Sequence, residues 1–270
     1  MTSRLHQYAT FGHRSVDGWL SDTAIVVLLE IGRLQNSAGI VGPVCEIGVH
    51  RGRLFILLHL LSRGEERSVA WDLFEQQHEN IDRSGKGNRS RLMKNLHEHG
   101  CDLTRISLNT ANSLDLSVSD VLASCQGAPR IFSIDGGHTA DITSSDLALA
   151  AGAIHDQGVI VLDDFFNESW PGVAEGACRF MRDSVVPLFP AIIAGNKFVF
   201  AKSRATAELY RAQVSIPSPP YHRRDTHVFG EPVVVFTEQP ESPRSRTRRP
   251  WPARTLRKAW RRVSRLSPLS

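Results

Sequence analysis

Four residues that could do chemistry together stand in one stretch, RIFSIDGGHTADITSSDLALAAGAIHDQGVIVLDD, residues 130–164. A short apolar run ends in Asp135, and His138 stands just beyond it. A helix-like segment follows, and a second apolar run ends in Asp163 and Asp164. Carboxylate oxygens suit a hard divalent cation, and an imidazole takes up a proton near neutrality. The stretch therefore reads as a divalent-metal site with a general base beside it. The plainer alternatives stay open. His138 would merely start a helix after Gly136 and Gly137, and the acid pair would cap a helix and open a loop.

Such groups work only where a scaffold brings them together. In a parallel sheet the chemistry gathers at the carboxyl ends of the strands. Upstream, VCEIGVHRGRLFILLHLL reads as a short strand, a turn bracketed by Gly48 and Gly52, and an apolar helix from Arg53 to Ser62. A helix N-terminus behind a glycine turn admits a nucleotide-like ligand, because backbone can approach closely and N–H groups point outward. The pattern is E-x-G-x-x-x-G, beginning at Glu46. It lacks the pyrophosphate fingerprint G-x-G-x-x-G, which counts against a nicotinamide dehydrogenase. A second strand, Ser68 to Trp71, ends in Asp72, which is placed to accept both hydroxyls of a ribose or to serve as a loop acid. A third, Thr104 to Leu108, is followed by Asn112 and Ser113.

Helical patterns alternate with these strands. Ala24, Val27, Leu28, Ile31 and Leu34 make one apolar face of a helix expected to begin at Ser15. Ser117 is placed to cap a helix over 118–125, and a helix over 140–156 is expected to end at Gly158. Residues 75–90 and 216–230 read as irregular substrate loops, and residues 1–14 as loosely fixed. Gly195-Asn196 between two apolar runs suits a hairpin at a sheet edge, with Pro232 to Thr237 as one more edge strand. The expected fold class is α/β: one doubly wound, mostly parallel sheet with an antiparallel edge hairpin. The expected organisation is a helical cap over 1–40, a catalytic domain over 41–237 and a tail over 238–270.

Charge is uneven along the chain. Net charge is +4, yet residues 241–270 hold ten Arg or Lys against one acid, leaving 22 basic and 27 acidic residues in the body. A folded surface of that sign does not suit nucleic acid. In the tail, Leu256, Trp260 and Val263 share a helical face ringed by basic residues, which makes 254–266 a candidate contact for an anionic membrane surface or an acidic partner. A solvated basic tail without a partner is the alternative. Cys45, Cys101, Cys125 and Cys178 show no CxxC spacing and read as free thiols. No run is long and apolar enough for a transmembrane helix. The expectation is a cytoplasmic enzyme, peripheral to the membrane if the tail docks there, with a homo-oligomer left open.

Taken together, CEIGVHRG, WDLFEQQ with NIDRSGKG, SIDGGHT and VIVLDDFFNESWPGV resemble class I S-adenosylmethionine-dependent methyltransferases. More narrowly, they resemble the metal-dependent branch that includes macrolide sugar O-methyltransferases and cephalosporin hydroxylase-like proteins. The resemblance covers roughly residues 16–202. It implies a Rossmann-like methyltransferase fold, with Glu46, Gly48 and Gly52 on the methionine side of S-adenosylmethionine, Asp72 at the ribose and Ser113 near the adenine. It implies Mg²⁺ or a similar ion held by Asp135, Asp163 and Asp164, Asp135 belonging also to the cofactor set, and His138 as general base. Relatives often carry Glu where this chain has Asp163. The implied reaction is methyl transfer to a hydroxyl of a sugar, glycan or glycosylated small molecule. The rivals are another protein using the same cofactor, such as a cephalosporin hydroxylase-like one, and a non-catalytic module docked by its tail.

Overall fold

The structure, a computed structural model, describes residues 3–216 and 220–238. Along the chain run α1 (Ser3–Thr10), α2 (Asp22–Ser37), β1 (Val44–Ile47), α3 (Arg53–Leu61), β2 (Ser68–Asp72), α4 (Arg89–Glu98), β3 (Ile106–Thr110) and α5 (Val118–Cys125). Then follow β4 (Ile131–Ile134), α6 (Ala140–Ala153), β5 (Val159–Leu162), α7 (Pro171–Asp183), β6 (Phe189–Ala194), β7 (Lys197–Ala201), α8 (Arg204–Gln213), β8 (Tyr221–Val228) and β9 (Glu231–Glu238). The strands form one sheet in the order β3-β2-β1-β4-β5-β7-β6-β9-β8. Strands β3, β2, β1, β4 and β5 are parallel, β7 runs against β5 and β6, and β8 runs against β9.

The inner strands are apolar on both faces because helices cover both. Val44, Ala70, Ile131 and Val161 face one core layer with residues of α1, α2, α3, α4 and α8. Cys45, Trp71, Phe132 and Leu162 face the other, with residues of α5, α6 and α7. That near-continuous apolar character is what a doubly covered parallel sheet requires. At the amino end of the strands Arg130 is fully buried. It donates to Glu66 (3.0 and 2.9 Å), Gln35 Oε1 (2.6 Å) and the Leu61 carbonyl (3.1 Å), tying α2 and α3 to β4.

Several boundaries differ from the sequence expectations. Residues 3–10 are a helix, because Leu5, Tyr8 and Ala9 bury one face and the Tyr8 hydroxyl donates to the Arg53 carbonyl at 2.7 Å. Helix α2 begins at Asp22, where Ser21 Oγ accepts from Ala24 N at 3.1 Å. Strand β3 starts two residues later than expected, after a short turn at Leu103–Arg105. Helix α6 ends at Ala153 with Ile154 extended, so Gly158 is not its cap. The Gly195-Asn196 hairpin exists but is interior, since β9 pairs parallel with β6 and β8 forms the sheet edge. Residues 221–228, expected to be irregular, are that edge strand. Ser117 caps α5 as expected, with a reciprocal capping box to Asp120. The tail and its basic face at 254–266 lie outside the described residues. Among the described residues no helix is long and apolar enough to cross a membrane.

Candidate active site

Register sets the row of polar residues. Ile47 pairs with Trp71 and with Ile134, and Ile134 with Leu162, so the ends of β1, β2, β4 and β5 lie level. The ladder runs one residue further: Gly48 N donates to Trp71 O (2.8 Å), Asp135 N to Ile47 O (2.9 Å) and Asp163 N to Ile134 O (2.9 Å). Glu46, Asp72, Asp135 and Asp163 are thereby presented at one rim, over a cavity of about 710 Å³.

The β1 turn forms one end of this cavity. Gly48 has φ +78° and packs so tightly on the β4 tip that a Cβ would overlap the Asp135 carbonyl. Gly52, at φ +91°, lies against Leu92. Both glycines are therefore steric requirements. Asp72 Oδ2 accepts from His50 N (2.8 Å) and Oδ1 from Phe74 N (2.7 Å), so it staples the turn. Each oxygen keeps a lone pair for a ligand. Burial holds its carboxyl above the usual carboxylate range, although these amides pull the other way. Glu46 is buried; Ser133 Oγ donates to its Oε1 at 3.4 Å, and its Oε2 has no hydrogen-bond partner. Burial pushes Glu46 up to about 8 against the opposing pull of Lys197. Ser113 opens a short turn at the cavity wall, and behind it Asp146 on α6 is fully buried. Burial raises Asp146 to about 7, and neither of its oxygens has a hydrogen-bond partner.

The other end holds the acids and the imidazole. Asp135, His138 and Asp164 offer ligand atoms that all lie within 4.8 Å of one another. Asp163 does not join them. Its Oδ2 is bonded to the buried Lys197 Nζ, and its Oδ1 accepts from Asp164 N at 2.9 Å. The two adjacent acids diverge because Asp164 sits in the left-handed region at φ +59°. Asp163, expected as a third metal ligand, lines the same cavity but stands outside this cluster, with one oxygen engaged by a cation and the other by an amide. Asp164 Oδ1 accepts from Asn167 Nδ2 (3.1 Å) and Asn196 Nδ2 (3.2 Å). Burial alone would raise Asp164, but His138 and these amides hold it down at about 2. Burial pushes Asp135 well above its ordinary range, reinforced by Asp163.

His138 stacks on Trp170 with ring centroids 4.2 Å apart and planes 19° from parallel. Its Nδ1 lies 2.9 Å from Asp82 Oδ2 and its Nε2 3.5 Å from Asp164 Oδ2. Burial lowers its pKa, but the bonds to Asp164 and Asp82 outweigh burial and raise it overall. Residues between 77 and 87 line the cavity, and among its lining residues Ile81, Trp19 and Phe166 are exposed. Sequence reasoning did not single out Asp82, Lys197, Asn167 or Trp170 for the site, and read Asn196 only as a turn residue. A lysine opening the apolar run KFVFA was the available signal for Lys197.

Residues 45–165 match the family described as "Methyltransferase domain". No curated protein matches the sequence significantly. Among solved structures, the O-methyltransferase TomG from Streptomyces achromogenes, in complex with S-adenosylmethionine, is 17% identical with a TM-score of 0.50, covering 74% of this chain and 89% of that one. The methyltransferase PaMTH1 of Podospora anserina, bound to S-adenosylhomocysteine, is 12% identical with a TM-score of 0.51, covering 74% and 88%. The O-methyltransferase NovP is 14% identical with a TM-score of 0.50, also covering 74% and 88%. At these identities the likeness is one of fold.

Proposed function

We propose, from the premise that this chain is a class I S-adenosylmethionine-dependent methyltransferase, that it methylates a hydroxyl of a sugar, glycan or glycosylated small molecule with the help of a divalent cation. The observation that carries this reading is the cluster of Asp135, His138 and Asp164 on the same cavity as Gly48 and Asp72.

The donor set fits a hard cation. Asp164 is ionised across the neutral range, at about 2, and Asp135 gains its charge once a cation lowers the cost of burying it. Two carboxylates and solvent suit Mg²⁺ or Mn²⁺. When bound, such an ion acidifies an alcohol and offers two positions to a vicinal diol. Asp163 supports the set from behind, fixing Asp164 through its backbone N–H while its own charge is matched by Lys197.

S-adenosylmethionine would be held along the β1 turn, its methionine part by Glu46, Gly48 and Gly52, its ribose by Asp72 and its adenine near Ser113, all of them on or beside the one cavity. His138 takes the acceptor proton at Nε2. S-adenosylmethionine would supply the methyl group: the oxygen–carbon bond would form as the carbon–sulfur bond breaks, leaving a methyl ether and S-adenosylhomocysteine. Proximity of the two bound substrates supplies much of the remaining rate.

The test uses methyl-labelled S-adenosylmethionine and a panel of glycosides, with EDTA or added Mg²⁺. Transfer that needs the ion, and that falls at least a hundredfold in both Asp164→Ala and His138→Ala, supports the reading; general-base losses run at about 10²–10⁴-fold. Full rates in both variants would overturn the mechanism. Calorimetry with S-adenosylmethionine checks the cofactor half separately, where Asp72→Ala is expected to weaken binding.

A further inference from the structure

We infer that Asp82, carried on the loop between β2 and α4, is a positioning residue that selects the ring tautomer of His138 and latches that loop over the cavity. This rests on His138 being the base of the proposed reaction. Asp82 and His138 are 56 residues apart in sequence, yet Asp82 Oδ2 accepts from the His138 backbone N–H at 2.6 Å and lies 2.9 Å from Nδ1. Both side chains are largely buried, 9% and 11% exposed. The other Asp82 oxygen accepts from Ser84 N at 2.8 Å, which fixes the carboxylate in its own loop.

An ionised carboxylate only accepts hydrogen bonds. Nδ1 beside it therefore carries the hydrogen. In the neutral ring the lone pair is then on Nε2, the nitrogen on the Asp164 side of the cavity. Without Asp82 the balance reverses. Asp164 Oδ2, 3.5 Å from Nε2, becomes the carboxylate left beside the ring. In the metal-free protein it draws the hydrogen to Nε2 and removes the lone pair from the side where an acceptor binds. Stacking on Trp170 fixes the plane of the ring but cannot distinguish its two nitrogens, so the choice falls to Asp82. The same contact closes the cavity. Around Asp82, Asn80 Nδ2 donates to Gln77 Oε1 at 3.1 Å, and at the end of the loop Gly87 lies against Asp72. The loop thus spans from the base to the proposed ribose site, and the base is aligned only when the loop is down.

The test compares the full chain with its Asp82→Ala and Asp82→Asn variants, each saturated with S-adenosylhomocysteine and without added metal. Long-range proton–nitrogen spectra of the imidazoles are recorded at a pH that leaves the ring neutral, with His138 assigned by its loss in His138→Gln. The expected result is hydrogen on Nδ1 in the wild type and in Asp82→Asn, whose amide oxygen still accepts, and on Nε2 in Asp82→Ala. Trypsin cleavage after Arg83 and Lys86 is expected to rise at least fivefold in Asp82→Ala and little in Asp82→Asn. An Asp82→Ala spectrum with hydrogen still on Nδ1 overturns the alignment role, whatever the transfer rates; unchanged cleavage overturns the latch. If the tautomer switches while His138→Ala still transfers methyl at full rate, the base reading falls and the alignment by Asp82 stands.

Discussion

Replacing Lys197 with Met should damage the fold more than the site. The side chain keeps most of its length and loses its charge. Lys197 is 1% exposed and Asp163 4%, and Asp163, Asp135 and Glu46 all act on the ammonium. Removing one partner of a buried ion pair costs about 3–5 kcal/mol, because the other charge stays buried and uncompensated. Domains are stable by about 5–15 kcal/mol, so the variant should fold with a much reduced margin. The assay is urea unfolding followed by tryptophan fluorescence. With a slope of about 3 kcal/mol per molar, the midpoint should fall by roughly 1–2 M. Adding Asp163→Asn should restore most of the loss, since the amide can still accept from Asp164 N while no charge remains to be matched. If Lys197→Met lies within about 1 kcal/mol of wild type, or the double variant is no better than the single, then the pair does not organise this rim. Asp163 would then be free to serve as a metal ligand after all.

Other perturbations report on other parts of the molecule. Gly48→Ala places a Cβ on the Asp135 carbonyl at a positive φ; S-adenosylmethionine binding by calorimetry should weaken at least tenfold, with a loss of stability of about 1–2 kcal/mol from the backbone alone. His59 is held down at about 4 by burial and by Arg105, so the native state resists its protonation. Its contribution is complete above about 6.5 and is lost as pH falls through about 4, up to about 3 kcal/mol; His59→Gln should flatten that limb of a plot of urea midpoint against pH. Asp146, raised to about 7, works in the opposite sense and withdraws stability as pH rises through that value. Asp146→Asn should therefore be more stable than wild type at alkaline pH, and equal midpoints there would show that the carboxylate is already satisfied.

The features legible in the sequence were those that the backbone repeats. Apolar runs ending in Glu46, Asp72, Asp135 and Asp163 signalled parallel strands, and level register turns such ends into one rim. Gly48 and Gly52 were legible because a tight turn admits little else. What stayed hidden depends on contacts between distant segments. Asp82 sits in a polar loop with no period, and only the folded chain places it on His138. Asp163 and Asp164 are indistinguishable as neighbours in sequence; the left-handed backbone at Asp164 and the arrival of Lys197 separate their roles. Strand β8 escaped because only Tyr221 of its residues is buried, so no apolar alternation marks it. Helix α1 escaped for a related reason: its three buried apolar side chains are spread through a polar segment.

The antiparallel insertion of β7 between β5 and β6 has a consequence for how the protein emerges from the ribosome. The acids of the rim are all synthesised by residue 164, but Asn196 and Lys197, which neutralise and orient them, arrive on a turn some thirty residues later. That turn also abuts the far amino end of the chain, where Gly195 lies against Ser21 at the start of α2. A nascent chain can assemble β1 to β5 in order, yet Asp163 lacks its ammonium partner until β7 is threaded into place. Completion of the catalytic end is thus a late step of synthesis, and stalled chains ending before Lys197 should be marked substrates for chaperones and proteases.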